Sequence, residues 1–141
     1  MINAINTTPT QTVRAGANVL FNAANVQTNS CKPCRGWLNF GNVNSGLFEI
    51  TKPGYYFIHF NANVSPNTTA GQITVNITNA GENIIGGEMQ SPGTTVGTFE
   101  NIAAGVLVQV PCNCCDTFSI KNTTTEDVDF NNPSITILRL A

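Results

Sequence analysis

Glycine, proline and asparagine recur so closely along this chain that no window of a dozen residues keeps apolar side chains at i, i+3, i+4 and i+7. The 12 Gly and 7 Pro interrupt each candidate helix. What remains is short apolar–polar alternation bounded by turn residues, the pattern of β-strands. Val13–Arg14, Val19–Phe21 and Trp37–Phe40 read as opening strands, with a loop from Asn22 to Cys34 between them. Leu47–Ile50 leads into the turn Lys52-Pro53-Gly54 and then the strongest strand, Tyr55 to Val64, which Ser65-Pro66-Asn67 closes. Ile73–Thr78 and Asn83–Ile85 form a hairpin across Ala80-Gly81, and Thr98–Val110, Thr117–Asn122 and Ile135–Leu140 complete the set. About eight to ten strands spaced roughly 8–12 residues apart predict an all-β fold, an antiparallel two-sheet jelly-roll sandwich. With 141 residues the chain fits one domain. Residues 13–141 are assigned to the jelly roll and residues 1–12 to an N-terminal arm.

Composition says how such a domain meets its surroundings. Charged residues make up only 10%, against roughly 25% in an ordinary soluble protein. Asn and Thr, about a quarter of the chain, supply the polar surface instead. Six Lys+Arg against eight Asp+Glu leave a net charge of -2, so there is no basic field for a phosphate backbone and nucleic-acid binding is disfavoured. So weak a charge also does little to keep copies apart. Met1 to Thr12 shows no basic stretch followed by an apolar one, and no apolar run reaches about 18 residues. Neither Sec export nor membrane insertion is expected.

The strand from Tyr55 to Val64 is apolar on both faces. Tyr56, Ile58, Phe60, Ala62 and Val64 share one side, and Tyr55, Phe57, His59 and Asn61 the other. A two-sheet sandwich points only one of these faces at its core, so the second needs a partner. In contrast, Ile73, Val75 and Ile77 alternate with Thr74, Asn76 and Thr78, which predicts one wet face.

The stretch Gly46-Leu-Phe-Glu-Ile-Thr-Lys-Pro-Gly-Tyr-Tyr-Phe-Ile-His-Phe-Asn-Ala resembles the G-x-F-x-h-x-x-P-G-x-Y-x-h signature of tumour-necrosis-factor-like and complement-head-like jelly rolls. Val106 to Val110, then Asp116 to Ile120, is similar to the family's paired strands, with Cys115 where glycine is usual. Ser134 to Leu140 resembles the closing strand. The likeness runs over roughly residues 11–141, on short apolar motifs that speak to fold and assembly rather than activity. It implies a compact homotrimer packed through aromatic side chains, with Tyr55, Phe57 and His59 at the trimer interface. The Cys112-Asn-Cys114-Cys115-Asp116 turn is most similar to small versions in phages and spore-forming or gut bacteria, which are virion decorations, fibre tips or spore-surface proteins.

The five cysteines fall as Cys31/Cys34 and Cys112/Cys114/Cys115. Two readings compete above free thiols: disulfides joining the two loops, or a zinc site drawn from two Cys-x-x-Cys pairs. His59 is the single histidine and has no acidic residue on its strand face, so packing is a better role for it than general-base chemistry. Glu126, Asp127 and Asp129 cluster without the glycine and distant glutamate of a calcium loop and read as a solvated turn. Asn6, Asn63, Asn67, Asn76 and Asn122 head Asn-x-Ser/Thr triplets, better explained as Asn-rich turns than as glycosylation sites. Trp37 and Arg35 are candidate contacts for a sugar or a protein, against the plainer role of closing the barrel rim.

No catalytic triad, carboxylate pair or nucleotide motif is present, so a non-enzyme with no required cofactor is expected. The leading expectation is a structural or attachment module on a phage virion: a capsid decoration, head fibre or tail-fibre tip beside other virion proteins. A bacterial spore-surface or cell-surface module, among surface-layer proteins, is the alternative. A carbohydrate-binding module for host-surface glycans is the second alternative.

Overall fold

A computed structural model describes residues 1–27, 38–40, 46–112 and 115–141. Among them are eleven strands: β1 (Ile2–Ile5), β2 (Gln11–Val13), β3 (Ala23–Gln27), β4 (Leu38–Phe40), β5 (Phe48–Ile50), β6 (Gly54–Pro66), β7 (Ile73–Asn79), β8 (Glu82–Ser91), β9 (Glu100–Val110), β10 (Asp116–Asn122) and β11 (Val128–Arg139). Every pairing is antiparallel. One sheet runs β3-β1-β11-β6-β9, with β2 also on β11, and the other runs β4-β5-β10-β7-β8. The expected two-sheet jelly roll is the fold observed.

The alternation in β6 sets the core. Tyr56, Ile58 and Phe60 are fully buried from the first sheet, opposite Phe48, Ile77, Phe118 and Ile120 from the second. Each such side chain contributes about 1.5–3 kcal/mol by leaving water. Phe21 meets Phe48 and Phe60 edge-on, with ring centroids 5.4 and 6.4 Å apart, the geometry that aromatic quadrupoles favour. Burial pushes the Tyr56 phenol up, an effect that neighbouring Arg139 opposes, and its hydroxyl donates to the Lys52 carbonyl at 2.8 Å. Strand β11 holds a proline in its interior because the ladder with β6 shifts between Asn131 and Ser134. At that shift β11 exchanges β2 for β1 as its second neighbour, and Asn132 turns to φ +50°.

Three expectations are corrected. The arm assigned to residues 1–12 contains a core strand: Ile2 and Ala4 are fully buried, and β1 sits between β3 and β11. Four residues with only Ile2, Ala4 and Ile5 apolar are too short for periodicity to register. The loop assigned from Asn22 onward begins instead with β3, an edge strand whose Ala-Ala-Asn-Val-Gln sequence has little β-propensity. Val19 and Phe21 are fully buried but lie outside any named strand, Val19 being held by its N–H donating to the Ile120 carbonyl at 2.8 Å.

The face of β7 predicted to be wet is also closed. Asn76 and Thr78 are 2% and 0% exposed. The Thr78 and Ser119 hydroxyls share a hydrogen bond, Asn76 Nδ2 donates to Thr123 Oγ1 at 2.8 Å, and the Thr74 N–H donates to Thr124 Oγ1 at 2.9 Å. Buried polar groups persist where they satisfy one another, and this face does so. Asn122, on the core side of β10, is fully buried and donates from Nδ2 to the Val13 and Glu126 carbonyls, tying the end of β2 and the loop before β11 to the end of β10.

Candidate assembly face

The outer face of the first sheet collects the residues singled out on the second side of Tyr55–Val64. Across from Tyr55, Phe57, His59 and Asn61, β9 places Gln109, Leu107, Gly105 and Ala103. On the other flank β11 sets Leu138 opposite Phe57, Thr136 opposite His59 and Ser134 opposite Asn61. None of these side chains is a carboxylate, an amine or a guanidinium. The structure therefore brings Tyr55, Phe57 and His59 together on one surface, as the alternation predicts, and leaves that surface open in the single chain.

The open surface has two halves. Nearer the Gly54 end it is apolar: Tyr55 is 52% exposed, Leu107 71% and Leu140 57%. With Val108 and Gln109, these three line a shallow groove of about 450 Å³. The other half is a web of uncharged amides and hydroxyls. Asn3 Nδ2 donates to Ser134 Oγ at 3.0 Å and Thr136 Oγ1 at 2.9 Å, while Asn25 donates to Asn3 Oδ1 at 3.1 Å and Asn101 to Asn63 Oδ1 at 3.1 Å. Between the halves, the Phe57 and His59 rings stack with centroids 6.3 Å apart and planes 26° from parallel. Gly105 makes that stack possible. A Cβ there would meet the Phe57 ring at 2.8 Å, so the absent side chain lets the ring lie across to β9.

The other candidates fall elsewhere. Cys112 and Cys115 are exposed free thiols between β9 and β10, so neither takes part in the disulfides that were one reading for joining the two cysteine loops. Cys31, Cys34, Cys114, Arg35 and Trp37 lie outside the described residues. Among the described residues no group of three or more His, Cys, Asp or Glu side chains could hold a metal ion. Asp127 and Asp129 are bound into the fold: Asp127 Oδ1 accepts the Ala15 N–H at 3.2 Å, and Asp129 Oδ1 accepts from Thr12 at 2.7 Å and Asn67 at 3.0 Å. Of the five Asn-x-Ser/Thr asparagines, Asn6, Asn76 and Asn122 are buried.

Leu107, Leu138 and Leu140 were not singled out by sequence reasoning, and Gly105, which reads in the sequence as a bulge or turn glycine, lies within β9 opposite His59. The signal lay in β9, where Val106, Val108 and Val110 face inward and leave Leu107 and Gln109 on the opposite side, but a run apolar on both faces hides its own alternation.

No protein-family model matches the chain, and no curated protein sequence matches it. Solved structures do. The globular domain of zebrafish complement 1qA protein is similar with a TM-score of 0.69 at 12% identity, over 99% of this chain and 96% of that one. The Eiger TNF of S. frugiperda is similar with a TM-score of 0.68 at 12% identity, over 99% and 92% of the two chains. The PRD1 vertex protein P5 matches with a TM-score of 0.53 at 13% identity, over 99% and 96%. The fold is thus the tumour-necrosis-factor-like and complement-head-like jelly roll that the Gly46–Ala62 signature resembles.

Proposed function

We propose that the chain is a non-enzymatic structural module that self-associates as a homotrimer and serves as an attachment or decoration element on a phage virion. The observation that carries this reading is the uncharged outer face of the first sheet, where Tyr55, Leu107 and Leu140 stand exposed around an apolar groove. A second copy is the occupant that fits it. Among the described residues the face holds no like charges to oppose another copy of itself, and the net charge of -2 is too small to keep copies apart. Three copies, with Tyr55, Phe57 and His59 in the interface, are what the family resemblance implies, and the shared jelly-roll fold supports it. The likeness to a vertex protein supports the virion setting.

Light scattering on the purified chain at micromolar concentration tests the assembly, with a mass three times that of one chain expected. A mass of one chain would sink the trimer. Immunogold labelling of cultures of the source organism tests the setting: label on virus particles is the expected result, and label confined to spores or cell envelopes overturns it.

A further inference from the structure

Resting on that self-association reading, we infer that His59 makes assembly pH-dependent, holding the oligomer together while its imidazole is neutral and releasing it on protonation. His59 is the only histidine of the chain and lies mid-face, over Gly105 and against Phe57. Whatever charge it carries has to be met by what surrounds it, and among the described residues the face offers no carboxylate side chain to meet it.

The neighbours can be taken strand by strand. On β6 itself the flanking outward residues are Phe57 and Asn61. From β9 the facing residue is Gly105, between Ala103 and Leu107, and from β11 it is Thr136, between Ser134 and Leu138. Beyond β11, Asn3 of β1 already spends its amide on Thr136 and Ser134. The charged groups of these strands are at their ends and engaged: Glu100 with Ser91, Asp129 with Thr12 and Asn67, and Arg139 with the Pro53 carbonyl. Among the described residues, the one other titratable side chain on the face is the Tyr55 phenol, which brings no carboxylate.

An imidazolium in this position keeps its hydration only while the face is open. Covering the face with a second copy removes that water without supplying a carboxylate, which disfavours the charged form by desolvation. In a cyclic assembly each copy brings one such ring, so like charges add to the cost. Stacking of a cation on Phe57 does not offset this, because Phe57 belongs to the same chain and the stack is present before and after association.

The sign follows from proton counting. The open chain binds the proton better than the covered one, so association weakens as pH falls through the range in which an imidazole takes up its proton. Each copy that must shed a proton on association lowers the association constant by up to about tenfold per pH unit within that range.

The test is sedimentation velocity of the full chain at pH 7.5 and pH 5.0, beside His59→Gln and His59→Phe, with the Cε1 proton of the single histidine followed by NMR in the wild-type samples. The expected result is a wild-type oligomer at pH 7.5 that dissociates at pH 5.0 in step with the imidazole titration, while a variant that assembles does so equally at both. Wild-type oligomer at both pH values overturns the switch and leaves the assembly reading intact. Monomer at pH 7.5 overturns the assembly reading itself. Dissociation out of step with the imidazole signal, or acid dissociation retained by both variants, also overturns the switch.

Discussion

The outer faces of the two sheets are built from the same alternating strands, yet they end in opposite states. On the second sheet, Thr78 and Asn76 of β7 are buried and bonded to Ser119 and Thr123. On the first, Tyr55 and Leu107 stand open although both are hydrophobic. Polar groups leave water only when a partner lies at hydrogen-bond distance, and residues on the same chain supply it most readily. An apolar face has no such directional need. It waits for area, and another molecule can provide that as well as its own chain. The polar face is thereby committed to folding and the apolar face remains available for assembly.

Three substitutions sharpen this contrast. Leu107→Glu places a charge in the apolar half of the open face, where the side chain is largely exposed and the fold does not depend on it. Association should weaken at least about a hundredfold with the unfolding midpoint of the single chain unchanged. A matching loss of fold stability, read by denaturant titration, would show that the open face is not a separate surface. Thr78→Val leaves the buried Ser119 hydroxyl without its partner and should cost about 1–3 kcal/mol of folding stability. The double variant Thr78→Val/Ser119→Ala should recover much of that loss, and a cycle with no coupling would mean that the hydroxyl pair contributes nothing on the closed face. Gly105→Ala has the smallest expected effect. The new Cβ pushes on the far edge of the Phe57 ring, which the open face lets rotate, so the single chain should fold nearly as before while association falls a few-fold. Unchanged association would place the Phe57 ring outside the contact.

Much of this was legible from residue order, and the exceptions have physical causes. Turn residues and two-residue alternation identify β6 and its inward face because both are local signals. β1 is invisible to them: its place is decided by β3 and β11, far away in the chain, rather than by anything in Ile2–Ile5. The closed face of β7 shows a deeper limit. A threonine that faces water and one that faces a serine hydroxyl look identical in a pattern of apolar and polar letters. Tyr55, Phe57 and His59 were legible as a set because they share β6, whereas Leu107 and Leu138 join them only through pairing with β9 and β11. The cysteine clusters stand out by spacing alone, which left inter-loop disulfides, a zinc site and free thiols open, and Cys112 and Cys115 are exposed free thiols.

The pairing of β1 with the far end of β11 has a bearing on how the module can be mounted. Because Ile2 lies opposite Ile137, and the Leu140 N–H donates to the Tyr55 carbonyl at 2.8 Å, both ends of the chain leave the barrel at its Gly54 pole. A fusion partner or tether joined at either terminus would hang from that pole. The loops around Gly71, Gly93 and Thr124 cap the opposite pole, where the Gly71 N–H donates to the Gly93 carbonyl at 2.9 Å. A reporter or affinity peptide inserted in the Gly93 to Thr98 turn would be carried at the end of the barrel far from both termini.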